Sequence, residues 1–101
     1  MIDLKSCTEA TFKNKVENGF PIDDLNHEFK LLKGEIDELQ DELQLFLENG
    51  DSKELSKEMA DVAIFLINLA KMADVDLEQA ILDKINYNKT RKYKKGTFRV
   101  K

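Results

Sequence analysis

Two pairs of acidic residues are the strongest candidates for chemistry in this 101-residue chain. Glu35-x-x-Glu38 and Glu58-x-x-Asp61 each place two carboxylates on one side of a helix, because residues three apart are neighbours on a helical surface. Nineteen residues separate the two pairs. Carboxylate oxygens are the ligands that Mg²⁺ prefers, and Mn²⁺ accepts the same donors. Four acids on two facing helices therefore predict a divalent-cation site.

Asp61 is the most informative of the four acids. It lies within residues 59–67, and all the remaining residues of that segment are apolar. An ionised carboxylate in such surroundings is costly unless it is paired or bound to a cation. Glu58, one turn earlier, adds a like charge and raises that cost. We therefore expect Asp61 to be buried beside a metal ion, whereas for Glu35 and Glu38 alone a solvated helix face is the alternative.

The elements that must position these acids are predicted to be helices. The sequence has one proline and four glycines, and this scarcity of helix breakers favours an all-α fold. Capping and stop signals predict four helices. The first helix is expected over residues 7–18, with a capping box at Ser6-x-x-Glu9, and the second from a cap at Asp23 or Asp24 to Asn49. The third is expected from a cap at Asp51 or Ser52 to about Ala73, and the fourth over roughly 77–92 with a cap at Asp76.

The apolar residues of the second and third helices predict how the acids meet. On both helices the acidic strip borders the main apolar stripe, and short connections favour antiparallel neighbours. The acidic strips can then face each other across a groove. The third helix is apolar on nearly all sides, so we expect it to be buried nearly all round, with a second subunit completing its cover.

The length of the chain fits a single domain covering residues 1–101, with a core at about 23–93 and a basic tail at 94–101.

The net charge of −4 conceals an asymmetry, because residues 84–101 carry eight cationic side chains and no acid. Such a split is also typical of nucleic-acid-binding tails. A helical dimeric binding module that uses this tail for nucleic acid or an acidic partner is therefore the alternative to an enzyme.

Several classes of protein are disfavoured by composition. Cys7 is the single cysteine, so an internal disulfide or a cysteine zinc cluster is excluded. His27 is the single histidine, which argues against the paired Glu-x-x-His motifs of di-iron bundles. No secretory signal and no stretch long enough to span a bilayer is evident, so we expect a cytoplasmic location and no membrane partner.

The acid pairs belong to a longer pattern that resembles a known family. Glu35-x-x-Glu38, Glu58-x-x-Asp61 and the segment from Lys84 through Asn88 and Arg91 to Tyr93 look like the MazG-type, all-α NTP pyrophosphohydrolases. The similarity covers roughly residues 25–93. An isolated Glu-x-x-Glu is common, but the two pairs in this order with a Lys…Asn…Arg-x-Tyr end are fairly specific.

The resemblance implies a fold, a reaction and a set of roles. The fold is a four-helix MazG-like unit that forms homodimers or dimers of dimers. The reaction is Mg²⁺-dependent hydrolysis of a nucleoside triphosphate to the monophosphate and pyrophosphate, of the kind that cleans nucleotide pools. Nucleic acid is not an expected partner of such an enzyme. The four acids carry over as metal ligands, and Glu38 is the residue we expect to act also as general base. The phosphate-binding residues are then Lys84, Asn88, Arg91 and Tyr93.

Overall fold

A computed structural model describes residues 3–90 of the chain. These residues form four α-helices and no strand, which confirms the predicted all-α class and the number of helices. The helices are α1 (Leu4–Glu17), α2 (Leu25–Asn49), α3 (Lys53–Met72) and α4 (Leu77–Thr90). None of these helices is both long enough and apolar enough to cross a membrane.

The limits of α2 and α4 follow from the predicted capping residues. Asp24, rather than Asp23, caps α2, because its Oδ1 accepts a hydrogen bond from the backbone N–H of His27 at 3.0 Å. Gly50 ends α2 in the left-handed conformation, with φ at 74°. Asp76 caps α4 by accepting from the backbone N–H of Gln79 at 3.0 Å. These positions agree with the sequence-based limits.

The start of α1 differs from the prediction, whereas its end agrees. Asp3 is the N-cap and accepts from the backbone N–H of Ser6 at 2.7 Å, so the expected capping box at Ser6 is wrong. Gly19 closes the helix with φ at 73°. The backbone N–H of Phe20 donates to the carbonyl of Lys15 at 3.1 Å, which forms a Schellman motif. This motif holds Phe20 back against the last turns of α1.

The most extensive packing joins α2 and α3, which are separated by only residues 50–52. A connection this short makes consecutive helices antiparallel neighbours. The first helix packs on α3, and α4 makes sparse contacts with α1 and α3. The backbones of α2 and α4 do not approach within 8 Å in the described residues. The pair α2–α3 is therefore the frame on which any site built from the acids must rest.

The core of the single chain is small and includes an ion pair. Its buried apolar side chains are Leu32, Ile67 and Ala70. Lys15 of α1 donates to Glu28 of α2 at 2.7 Å, and the side chains are only 7% and 1% exposed. Lys15 compensates the charge of Glu28 through Oε1, whereas Oε2 of Glu28 is buried and accepts no hydrogen bond from the described residues. This ion pair connects α1 directly to α2.

Large apolar side chains remain exposed on α3 and α4 of the single chain. No residue of α4 is buried, and Ile81, Leu82 and Ile85 are all exposed. Met59 and Leu66 of α3 are exposed as well. One chain by itself therefore leaves much of α3 uncovered, and the expectation that a second subunit completes the cover of this helix stays a prediction. A 101-residue chain has too little mass to cover two faces of that helix.

Candidate metal centre

Three carboxylates from two helices converge on one point. One oxygen atom from each of Glu35, Glu38 and Glu58 lies within 4.8 Å of the other two. The first two project from adjacent turns of α2, and the third comes from the first half of α3. The spacing argument from sequence therefore brings together three of the four predicted ligands.

The convergence leaves oxygen atoms without partners. Oε2 of Glu35 and Oε1 of Glu58 are both shielded from solvent, and neither accepts a hydrogen bond from the described residues. Buried polar atoms in native proteins almost always have a partner, so two orphans at one place require an explanation. Carboxylate oxygens cannot satisfy each other without a proton or a cation between them.

The electrostatics of this cluster favour a bound proton when no cation is present. The pKa of Glu35 is raised from 4.5 to about 8. The main cause is the hydrogen bond that the protonated form of Glu35 can donate to Glu58, followed by partial burial, by a similar hydrogen bond to Glu38 and by the negative charges of both neighbours. At neutral pH the metal-free cluster therefore keeps a proton on Glu35.

Asp61 does not join this convergence, and its predicted burial is wrong for the single chain. Its side chain is exposed, and it is not among the three carboxylates that meet. A step of three residues turns the side-chain direction by about 60° around a helix relative to Glu58. Asp61 therefore lies about one turn along α3 from Glu58, on a face that is exposed in the single chain. The apolar residues around it in the sequence occupy other faces of the same helix.

The predicted phosphate-binding residues lie on α4 or beyond the described residues. Lys84 is exposed, and its ammonium lies 4.8 Å from the ring centre of Tyr87. Asn88 is half-buried in the last turns of α4. In the described residues the Cα atoms of α4 stay more than 8 Å from those of α2. Arg91 and Tyr93 lie outside the described residues.

The structure also contains a groove that the sequence did not predict. It has a volume of about 490 Å³ and lies between α1, α3 and the α1–α2 connection. Its apolar walls are Phe20, Leu31, Ile64 and Phe65. Leu31 lies one turn before Glu35 on α2, and Phe65 lies two turns after Glu58 on α3. These lining residues of the groove therefore lie one to two helical turns from the acidic cluster along α2 and α3.

The groove is also lined by four polar residues, Thr11, Asn14, Lys15 and Asn68, and Asn68 could have been found from sequence. Asn68 and Phe65 lie on the helical strip that carries Glu58, which is a readable signal on α3. Lys15 reaches the groove from α1, where it is held by Glu28. No sequence spacing connects Lys15 with Glu28, because their contact depends on how α1 folds back on the rest of the chain.

Comparisons with models of protein families, with curated proteins and with solved structures found no match for this chain.

Proposed function

We propose that this protein is a metal-dependent nucleoside triphosphate pyrophosphohydrolase that cleaves between the α- and β-phosphates. The observation that carries the proposal is the convergence of Glu35, Glu38 and Glu58 with two buried oxygen atoms left unpartnered. The order of acid pairs and cationic residues, which resembles the MazG-type enzymes, supports the same reaction. Mg²⁺ is the proposed cofactor, and Mn²⁺ is the expected substitute.

The donor set fits a hard divalent cation. All three converging ligands offer oxygen, and neither histidine nor cysteine is part of the cluster. The orphan oxygens of Glu35 and Glu58 are the atoms that a cation would satisfy. Asp61, one turn away and exposed, is available to complete the set from the solvent side. When bound, such a cation supplies charge neutralisation for the phosphates and acidifies a coordinated water.

The three converging glutamates differ in exposure, and their proposed roles in the reaction differ accordingly. Glu35 and Glu58 are half-buried and hold fixed positions, whereas Glu38 is exposed and can reach a water molecule. Glu38 is therefore the proposed general base that takes a proton from the water attacking the α-phosphorus. The bond from that phosphorus to the bridging oxygen breaks, and pyrophosphate leaves. Lys84, Asn88, Arg91 and Tyr93 are the proposed contacts to its oxygens.

The groove is the proposed binding site for the nucleoside part of the substrate. Along α3 the seven residues from Glu58 to Phe65 span about 10 Å, and along α2 the four residues from Leu31 to Glu35 span about 6 Å. These distances suit a substrate whose phosphates meet the carboxylates while its base lies between Phe20 and Phe65. Apolar walls with few polar groups are usual for small-molecule sites.

A second copy of the chain is the proposed partner. The exposed apolar side chains of α4 and α3 form surfaces that a homodimer, or a dimer of dimers, would cover. Within the described residues, Lys84 and Lys89 of α4 form no ion pair with the α2 acids of their own chain. Association between copies is therefore proposed to shield the apolar faces and to complete the substrate site.

Product analysis tests the proposed reaction. The protein is incubated with a panel of NTPs and dNTPs, with Mg²⁺ or with EDTA, and the products are separated by chromatography. We expect monophosphate and pyrophosphate only when metal is present. Glu38→Gln and Asp61→Asn should remove turnover without loss of helical structure by circular dichroism. Glu42→Gln is the matched control, because Glu42 lies on the same helix one turn beyond the cluster.

The outcomes separate the proposal from its alternative. Diphosphate and phosphate as products would refute the assigned cleavage position. Full activity in both the Glu38 and Asp61 variants would refute the assigned site. No turnover of any nucleotide would favour the binding module, whose interaction with nucleic acid should weaken steeply with salt and disappear when residues 94–101 are removed.

A further inference from the structure

A strip of large apolar side chains remains exposed along the whole length of α2. On a helix of 3.6 residues per turn this strip lies roughly 130° from the acids Glu35 and Glu38, and the side chains that face α3 lie between the two. The members of the strip are between 41% and 66% exposed, and they are Leu25, Phe29, Ile36, Leu43 and Leu47. The acids and the strip therefore occupy opposite flanks of α2.

The exposed apolar strip continues onto α3 and has no cover from the other helices. Met59 and Leu66 of α3 are exposed and lie roughly 90° around that helix from Glu58. Because the acids of α2 and α3 converge on one side of the helix pair, these apolar residues share the other side with the α2 strip. The first helix lies on the acidic side, where Leu31 lines the groove together with α1 residues. The Cα atoms of α4 stay away from α2 in the described residues.

The spacing of the α2 strip is the same when it is read in either direction. From Leu25 to Leu47 the steps are 4, 7, 7 and 4 residues, with Ile36 at the centre. A two-fold axis at Ile36 therefore places Phe29 against Leu43 of a second copy and Leu25 against Leu47 of that copy. A contact between identical surfaces requires this symmetry, because each residue must meet its partner twice. A different protein as partner would impose no such spacing.

The charges beside the strip favour an antiparallel arrangement of the two copies. On its outer flank Lys30 and Lys33 precede Ile36, whereas Asp37 and Asp41 follow it, and all four side chains are exposed. In the antiparallel register Lys33 lies beside Asp37 of the second copy, and Lys30 lies beside Asp41. A parallel arrangement would set each charge beside its like. Charges at the rim of an interface select orientation more than they add affinity.

The size of this face suits a stable contact. The strip from Leu25 to Leu47 is about 33 Å long, and two packed helices are about 20 Å wide. The face therefore measures on the order of 600–700 Å² per copy, close to the roughly 800 Å² that each partner contributes to a standard interface. The buried apolar side chains of the single chain are only Leu32, Ile67 and Ala70 among the described residues. A second copy would supply much of the core that one chain lacks.

We propose that two copies of the chain associate through this face, with the two α2 helices antiparallel and a two-fold axis at Ile36. The inference takes up the self-association of the proposed function and gives it a surface and a register. It does not depend on the nucleotide chemistry, because none of the acidic cluster takes part. The acidic clusters lie on the other side of each α2–α3 pair, so both stay accessible in the assembly.

Disulfide cross-linking tests the position of the axis. The background is Cys7→Ser, which removes the single native cysteine. Ile36→Cys places two thiols at the axis, so mild oxidation should give a covalent dimer on non-reducing gels. Leu45→Cys is the matched control, because Leu45 is 48% exposed and Ile36 is 46% exposed, but Leu45 lies on the opposite side of α2. Cross-linking at Ile36 should be at least about tenfold faster, since the contact raises the local thiol concentration from micromolar towards millimolar. Equal rates would overturn the inference.

Mixed samples test the antiparallel register. Phe29→Cys and Leu43→Cys should each stay mostly reduced alone, whereas a mixture that has exchanged subunits before oxidation should form the covalent heterodimer. Cross-linking of each variant with itself would overturn the antiparallel register. A Cys7→Ser protein that sediments as a monomer would overturn this inference together with the proposed self-association. Triphosphate hydrolysis is assayed separately on the same samples, so its absence would refute the proposed reaction and leave the cross-linking result standing.

Discussion

The proton held by Glu35 leads to a quantitative prediction for metal binding. In the metal-free protein Glu35 has a pKa of about 8, because it shares a hydrogen bond with Glu58 and lies beside the charge of Glu38. A cation that binds these oxygens must displace that proton, so metal affinity and pH are linked. Raising the pH removes the proton beforehand and should strengthen binding.

The size of the effect follows from the pKa. Well below pH 8 each unit of pH should improve the apparent Kd for Mg²⁺ or Mn²⁺ by nearly tenfold, and the unit from pH 7 to pH 8 by roughly fivefold, since one proton competes with one ion. Between pH 6 and pH 8 the total gain should be about fiftyfold, and between pH 8 and pH 9 less than about twofold. The curve therefore bends near the pKa of Glu35.

Isothermal titration calorimetry with Mn²⁺ in buffers of different ionisation enthalpy measures both the affinity and the protons released. We expect about one proton per ion at pH 6.5 and far fewer at pH 9. Glu58→Gln should flatten the pH dependence, because it removes the main cause of the raised pKa and replaces a charge by an amide. Glu42→Gln should leave the curve unchanged. An affinity that is constant from pH 6 to pH 8, without proton release, would refute this account of the cluster.

Four further predictions concern stability and assembly. Without metal, the free energy of unfolding should fall as the pH rises from about 4.5 to about 8, because the unfolded chain ionises Glu35 first; urea titrations should show a smaller fall in Glu35→Gln. Lys15→Met should cost about 3–5 kcal/mol in urea unfolding at pH 7 by leaving the Glu28 charge buried and unpaired, and the double replacement Lys15→Met with Glu28→Leu should cost less; equal losses would contradict this. Gly34→Ala should stabilise α2 by about 0.5–1 kcal/mol in thermal unfolding, since a methyl group there meets no atom within 4 Å. Leu82→Glu should convert the proposed dimer to a monomer by light scattering, because Leu82 is 49% exposed on a helix with no buried residue; an unchanged mass would exclude α4 from the interface.

Local signals predicted the helices well because the physics involved is local. Asp24, Gly50 and Asp76 act on backbone groups a few residues away, so their roles can be read directly from spacing. The start of α1 was misjudged because Asp3 and Ser6 are both good caps three residues apart, and only the observed hydrogen bond decides between them. The meeting of Glu35, Glu38 and Glu58 followed from helical periodicity and a short connection.

Features that depend on tertiary packing could not be predicted in the same way. The pair Lys15–Glu28 joins residues on different helices, and nothing in their spacing marks it. Asp61 was expected to be buried because its neighbours in sequence are apolar, but neighbours on a helix face different directions. Whether the face that carries Asp61 meets water depends on what covers α3, which is a property of the assembled protein. The proposed reaction and the family resemblance remain predictions.

The uneven packing of the helices has a consequence for the order of folding and opening. Most packing lies between α2 and α3, which are adjacent in sequence, so these two helices can associate after closing a very short loop. The first helix must instead find α3 across the whole length of α2. We expect α1 to dock last and to exchange its amide hydrogens faster than α2 and α3. Because α1 forms one wall of the groove while the carboxylates lie on α2 and α3, local undocking would open the groove without dismantling the acidic cluster.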